Sequence, residues 1–352
     1  MTSAIAIGLV LGGLIFFHEL GHFAVARLFG IGVRAFSLGF GPALLKKQYG
    51  KTEYRVSLVP LGGYVSLAGE NDDNDLSGGF TEEESFINRP TWHRMCVIVA
   101  GPLANLILAF FIYWGLFWSS GQMHMAPEIG EVLPDAPAAA VGIHTGDSVV
   151  DIAGTPIVFW NDIADTVGKS NGKELTVTVD RQGKILTFNV VPERLARKNI
   201  FGEEEESFLI GIAASGKTVS VPLSGSSAAI AGLEQTWEMI GITAQGFVKI
   251  VQRVVPMDNV GGPIMIAQMV SKQAEHGLAA VLALAALISV NLGLLNLLPV
   301  PVLDGGHLVV LLIETVIRRP VPPRVMDIAS RIGIMLLITL MIWATFNDVR
   351  RL

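Results

Sequence analysis

The chemistry this sequence offers is concentrated in one short box, Phe16-Phe17-His18-Glu19-Leu20-Gly21-His22-Phe23. The pattern H-E-x-x-H sets two imidazoles four residues apart, and on an α-helix that spacing brings both to one face. Two neutral imidazoles so placed can grip one zinc ion, with Glu19 beside them as a candidate general base. With only seven histidines in the chain, chance alone would produce such a box on the order of once in a hundred similar sequences. Its setting weakens the chance reading further, because the box interrupts an apolar run that begins at Ala4. Ionisable side chains inside a membrane span are costly. They are normally kept for function and face a protein interior or a water-filled cavity.

A hydrolytic zinc site needs three protein ligands and one open position, so a third donor must come from elsewhere. Asp304 is the best candidate, since it ends the broken stretch Asn296-Leu297-Leu298-Pro299-Val300-Pro301-Val302-Leu303-Asp304-Gly305-Gly306-His307. Two prolines and two glycines must interrupt a helix there. Irregular backbone at membrane depth is tolerated only where it is buried in protein or lines a cavity. Glu314 and His307 are the rival third ligands. A zinc ion in such a site lowers the pKa of water from about 15.7 towards about 7 and polarises a peptide carbonyl. Glu19 would take the proton and pass it to the leaving amine. Asn296 is placed to hydrogen-bond a substrate backbone. Asn105, in Gly101-Pro102-Leu103-Ala104-Asn105, shares a helix face with Gly101, which fits either a substrate-binding role or a polar latch in a close helix contact.

The elements that must carry these residues are mostly membrane spans. Hydrophobic residues make up 51% of the 352 and charged ones 16%, with a mean hydropathy of +0.53, which describes a polytopic membrane protein. The net charge of −6 has no dense basic stripe, so nucleic acid is not an expected partner. The single cysteine, Cys96, excludes an internal disulfide. Apolar segments at about 3–29, 95–118, 278–298 and 330–346 give four spans, each judged against the roughly 20 residues a bilayer requires. The first could pass for the core of a signal peptide, but its helical pattern runs on through His22, so it reads as a retained span.

Between spans one and two, Val33 to Phe40 and Thr52 to Val59 alternate like strands, giving a β-hairpin or sheet whose edge could take up an unwound substrate. Asn71 to Ser85 reads as an acidic loop. The segment from Gln122 to His276 reads as water-soluble. It has short strands near 128–132, 148–152, 175–179, 186–191 and 208–212, a short helix at 160–167 and a charged run at 194–206. A long amphipathic helix follows at 228–254. Lys and Arg cluster after span one and between spans three and four, so those loops read as cytoplasmic and the soluble segment as extracytoplasmic. The zinc box then lies near the cytoplasmic side of the bilayer.

Three motifs together resemble the site-2 protease family of intramembrane zinc metalloproteases, in its bacterial regulator-of-sigma-E branch. They are His18-Glu19-Leu20-Gly21-His22, Gly101-Pro102-Leu103-Ala104-Asn105 and Asn296 through Gly306. The resemblance implies that His18, His22 and Asp304 bind Zn2+, that Glu19 is catalytic and that Asn296 handles substrate. It also implies β-structure at the membrane over 33–68. The stretches Ala138-Ala139-Ala140-Val141-Gly142-Ile143 and Gly146-Asp147-Ser148-Val149-Val150 are similar to a bacterial PDZ signature. The fold class expected is therefore a polytopic α-helical membrane protein with four transmembrane helices, a membrane-associated β-hairpin and one extracytoplasmic PDZ domain.

The corresponding division is 1–125 for spans one and two with the zinc box, and 126–194 for the PDZ domain. A linker with the amphipathic helix takes 195–276, and spans three and four take 277–352. Expected partners are the lipid bilayer and single-span membrane proteins, such as anti-sigma factors or remnant signal peptides, at a bacterial inner membrane. Two other readings use the same residues. A membrane-anchored PDZ scaffold would bind without cutting, and a metal transporter would need a continuous polar path that spans two and four do not offer.

Overall fold

The structure, a computed structural model, describes residues 3–70, 76–256, 261–319 and 321–351. Its elements run α1 (Ser3–Leu28), β1 (Val33–Tyr49), β2 (Thr52–Leu67), α2 (Thr91–Ser120), β3 (Gln122–Met125), β4 (Ile129–Val132), α3 (Pro137–Ala140), β5 (Ser148–Ile152), β6 (Thr155–Pro156) and α4 (Trp160–Lys169). There follow β7 (Leu175–Arg181), β8 (Lys184–Val190), β9 (Glu193–Lys198), β10 (Glu204–Leu209), β11 (Ile212–Ala214) and β12 (Thr218–Val221). The chain ends with α5 (Gly225–Val251), α6 (Pro263–Glu275), α7 (Leu278–Asn296), α8 (Asp304–Ile317) and α9 (Pro323–Arg350). The chain divides into two compact units, one formed by residues 1–116, 229–248 and 256–352, the other by 117–228 and 249–255.

Among the described residues four helices are long and apolar enough to cross a membrane: Ile5–Leu28, Thr91–Ser120, Leu278–Asn296 and Arg324–Arg350. This is a helical protein with several small sheets, consistent with a polytopic membrane protein. The last helix is longer than the expected 330–346, because Arg324, Asp327 and Arg331 dilute the apolar signal of its first turns without stopping the helix. Its Ile328, Ile332, Met335, Ile338 and Ile342 are exposed, an arrangement at home against lipid.

In the first unit the N-terminal half of α1 packs against α6 and α7 through Val10, Leu14, Val270, Leu284 and Ala285. The C-terminal half packs through Ala26 against Ile31, Val33, Leu67 and Val97. The β1–β2 sheet is longer than the two alternating stretches suggested. Residues 33–38 lie inside it, paired on one side with 63–67 (Phe36 opposite Val65) and on the other with 53–56 (Phe36 opposite Tyr54). An inner strand has both rows of backbone groups engaged. Among the described residues the outer strands are therefore 63–67 and 43–49, and on the first the Leu67 N–H is taken by Glu70 at 3.2 Å. Residues 71–75 of the expected acidic loop lie outside the described residues, as does Val260 at the break after α5. The α6 helix, short and set between two apolar runs, has no counterpart in the periodicity.

The second unit is built on a four-stranded antiparallel sheet in the order β6-β5-β7-β8. Alternation along β7 buries Leu175, Val177 and Val179, and Val149, Ile152, Ile163, Val167 and Val190 join them. Each such side chain contributes about 1.5–3 kcal/mol on leaving water. The same core takes in Ile210, and β11 pairs with β4. The charged run at 194–206, not expected to be a strand, forms most of the β9–β10 hairpin, with Arg194 opposite Phe208 in register. The expected strand at 208–212 is divided, since β10 ends at Leu209 and β11 starts at Ile212. At the turn before β5, Asp147 is buried and accepts hydrogen bonds from Arg181 Nε (2.7 Å), a second Arg181 nitrogen (2.7 Å) and the backbone N–H of His144 (2.9 Å).

Candidate active site

His18 and His22 sit one turn apart on α1 with their Nε2 atoms 3.2 Å from each other and their rings edge to face. The break between α7 and α8 delivers Asp304, the first residue of α8, to the same point. Its Oδ2 lies 3.2 Å from His18 Nε2 and its Oδ1 3.6 Å from His22 Nε2. Zinc–nitrogen bonds of about 2.0–2.1 Å in a tetrahedron set neighbouring ligand atoms about 3.3 Å apart, so the three donors have the spacing of one metal's ligand shell. Oδ2 of Asp304 is buried without a hydrogen-bond partner. A buried anionic oxygen left so is costly unless a cation meets it. The donor set, two imidazoles and one carboxylate, suits zinc. His18, His22 and Asp304 thus form a cluster positioned to coordinate Zn2+.

A second layer orients the imidazoles. Nδ1 of His22 is 2.8 Å from the backbone carbonyl of Val97 on α2, and donation to that carbonyl leaves Nε2 unprotonated towards the cluster. This contact requires α1 and α2 to approach closely, and two glycines permit it. A Cβ on Gly21 would overlap the carbonyl of Ala100, and one on Gly101 would overlap the His22 ring. The Gly101-to-Asn105 motif therefore has a steric role at the metal centre. Asn105 is fully buried, its amide nitrogen 3.4 Å from His18 Nδ1, and its backbone carbonyl accepts a hydrogen bond from Ser289 on α7 at 2.7 Å.

The cluster opens on a cavity of about 1580 Å³, lined by Glu19, Asn105 and Asn296 as well as by the three donors. The backbone N–H of Val65 lies beside the Glu19 carboxylate, and the site a Cβ would occupy on Gly63 is 3.1 Å from Glu19 Cγ. The outer strand at 63–67 therefore runs beside this carboxylate. The alternating stretches end at Val59 and do not reach this strand, which only the resemblance, with β-structure over 33–68, covers. Backbone donors such as Val65 N–H and acceptors such as Val97 C=O carry no side-chain signal by which to find them.

Glu314 and His307 also line the cavity but lie outside the three-donor cluster. Glu314 is engaged elsewhere, 3.3 Å from a guanidinium nitrogen of Arg94 and accepting from the backbone N–H of Val321 at 3.1 Å. The backbone just before Asp304 is strained. Val302 has φ +89°, a region that β-branched residues rarely enter and that costs about 1–3 kcal/mol.

Residues 6–340 match the sequence model of Peptidase family M50. A protein of Agrobacterium fabrum that carries the name of a zinc metalloprotease is 39% identical over 356 residues, covering 98% of this chain and 94% of that one. One of Campylobacter jejuni, named likewise, is 36% identical over 346 residues, covering 98% and 92%. The regulator of sigma-E protease RseP of Salmonella typhimurium is 30% identical over 445 residues, covering 98% and 97%.

Proposed function

Because the chain belongs to peptidase family M50 and is an intramembrane zinc metalloprotease, we propose the following roles for its residues. His18, His22 and Asp304 hold the zinc ion, and Glu19 is the general base. When bound, the metal acts as a Lewis acid and acidifies water. Glu19 takes a proton from the attacking water and delivers it to the amine nitrogen as the peptide C–N bond breaks. The Val65 N–H holds that carboxylate in place between transfers. Asn296, at the end of α7 and on the cavity wall, offers its amide to the substrate backbone. Asn105, given the same task by its motif, is fully buried, which supports a different task, argued below.

The substrate proposed is a single-span membrane protein, of the anti-sigma-factor or remnant signal-peptide class. The support is the printed name of the Salmonella relative, a regulator of sigma-E protease. A helical substrate has its carbonyls engaged and must unwind to be cut. The outer strand at 63–67 beside Glu19 supports capture of the unwound segment as an added strand. Residues 126–194 are proposed as a PDZ domain. Since Ile210 shares its core and β11 pairs with β4, we draw its end after β11, with the linker and amphipathic helix up to residue 276. Spans one and two, with their hairpin, precede it within 1–125, and spans three and four follow within 277–352. The Lys and Arg distribution supports a bacterial inner membrane, with the PDZ domain outside and the zinc box towards the cytoplasm.

The observation that carries this reading is the convergence of His18, His22 and Asp304 on one point. It is tested by following cleavage of a single-span reporter by the purified full-length protein and by Glu19→Gln. The variant is expected to retain zinc and lose cleavage. Cleavage at the wild-type rate would remove Glu19 from the mechanism.

A further inference from the structure

Asn105 lies on the cavity wall but is itself buried. Its side-chain amide ends at His18, 3.4 Å from Nδ1. The other ring nitrogen of His18, Nε2, is the one turned to Asp304 and His22, at 3.2 Å from each. A neutral imidazole carries one ring proton, and ligation through Nε2 requires that proton to be on Nδ1. A buried Nδ1–H in turn requires an acceptor. The amide of Asn105 is the side chain within reach. Its oxygen and nitrogen exchange places on a half turn about the last side-chain torsion, so the same residue can accept or donate.

We propose that Asn105 is a positioning residue for the metal ligand His18. With Oδ1 turned to the ring, it accepts from Nδ1–H and fixes the tautomer whose Nε2 lone pair faces the metal. With the amide nitrogen turned to the ring, the orientation seen here, it donates to Nδ1 and the ring proton moves to Nε2, beside the Asp304 carboxylate. In this orientation Oδ1 is buried without a partner, and the half turn supplies one. Leucine could serve neither tautomer, and aspartate only the metal-binding one. Asparagine keeps Nδ1 of a neutral His18 ring hydrogen-bonded both before and after zinc enters. The inference rests on His18 being a zinc ligand, as proposed above.

Ser289 provides a control. Its hydroxyl donates to the backbone carbonyl of Asn105 at 2.7 Å, so it braces the same α2–α7 contact without touching the amide. The experiment measures zinc dissociation constants by chelator competition on full-length wild type, Asn105→Leu, Asn105→Asp and Ser289→Ala. It is paired with ring-nitrogen chemical shifts of 15N-histidine-labelled protein with and without zinc. Asn105→Leu is expected to weaken zinc by about 10–100-fold, the usual cost of losing an outer-shell partner. Asn105→Asp should restore near wild-type affinity, and Ser289→Ala should leave it unchanged. The His18 proton should move from Nε2 to Nδ1 on loading. If Asn105→Asp does not fold, the Leu variant and the ring shifts decide. Unchanged affinity in Asn105→Leu, or an equal loss in Ser289→Ala, would reduce Asn105 to a packing residue. A wild-type protein that binds no zinc would instead overturn the ligand assignment.

Discussion

Gly101 of α2 lies against the imidazole of His22 so closely that a single methyl group at this position would overlap the ring. The ring is held from its other nitrogen by the Val97 carbonyl, so it cannot move aside without losing its orientation. Gly101→Ala is therefore expected to cost about 1–3 kcal/mol from overpacking and to weaken zinc binding at the same time. Thermal unfolding and metal content of the purified variant check both. Loss of stability with full zinc affinity would mean that the helices separate and leave the ligand geometry intact.

The contact between Val65 and Glu19 yields a second prediction. The N–H of Val65 lies beside the Glu19 carboxylate, and residues 63–67 form an outer strand, where proline is tolerated. Val65→Pro removes that one donor. Misplacement of a catalytic group by about 1 Å can cost about 100-fold in rate, so turnover should fall by up to that factor while zinc content stays at the wild-type level. An unchanged rate would show that the carboxylate is oriented by other contacts.

Asp304 carries the heaviest assignment among the ligands. Replacement by Asn keeps the shape but removes the anionic carboxylate whose two oxygens face the two imidazoles, Oδ2 towards His18 and Oδ1 towards His22. Zinc affinity should drop by more than about 100-fold, beyond the usual range of about 10–100-fold for outer-shell changes. Titration of Asp304→Asn with zinc against a competing chelator measures this. Glu314→Gln is expected to keep wild-type zinc affinity, since Glu314 lies outside the cluster.

How much of this was legible in the sequence depends on how local each feature is. His18, Glu19 and His22 announce themselves because five consecutive residues hold the motif and its apolar setting. Asp304 is separated from them by almost the whole chain. It stood out only because an acid at the broken end of an apolar run needs a reason, and Glu314 and His307 could not be dismissed without coordinates. The four spans were readable from hydropathy, with the last one shortened by its charged first turns. Pairings made by backbone atoms, or by side chains such as Arg94 and Glu314 from distant helices, leave no pattern along the chain. The β9–β10 hairpin was hidden for a different reason. Its alternating charges leave little apolar periodicity, and cross-strand partners are identified only once the register exists.

The Arg94–Glu314 ion pair spans 3.3 Å between the start of α2 and the end of α8, with both side chains largely shielded. Glu314 also holds the Val321 backbone N–H, so one carboxylate ties together two helices and the turn towards α9. Arg94→Ala leaves a shielded carboxylate with one partner fewer, at a cost of about 1–3 kcal/mol. Hydrogen exchange should quicken at Val321 and its neighbours in the full-length protein. Addition of Glu314→Gln should recover part of the loss, because the unpaired charge is then gone. A strictly additive double variant would mean that the two residues are not coupled.

The second unit should lose stability at low pH through Asp147. Burial by itself raises the pKa of this carboxyl. The Arg181 hydrogen bonds, the His144 N–H and the Arg181 charge together outweigh burial, so the net shift is downward. A carboxyl with a lower pKa folded than unfolded binds fewer protons in the folded state, and stability therefore rises with pH across that interval. The contribution is complete above the unfolded value of about 3.9. It drains away as pH falls from there through the folded pKa. Amide exchange in residues 175–190 of the full-length protein, corrected for intrinsic rates, should show protection at pH 5 and a progressive loss below about pH 4. Asp147→Asn should be less protected at pH 5, because it removes the anion held by Arg181 and the His144 N–H. It should also lose most of the pH dependence. A variant as pH-sensitive as the wild type would assign the acid transition to other carboxylates.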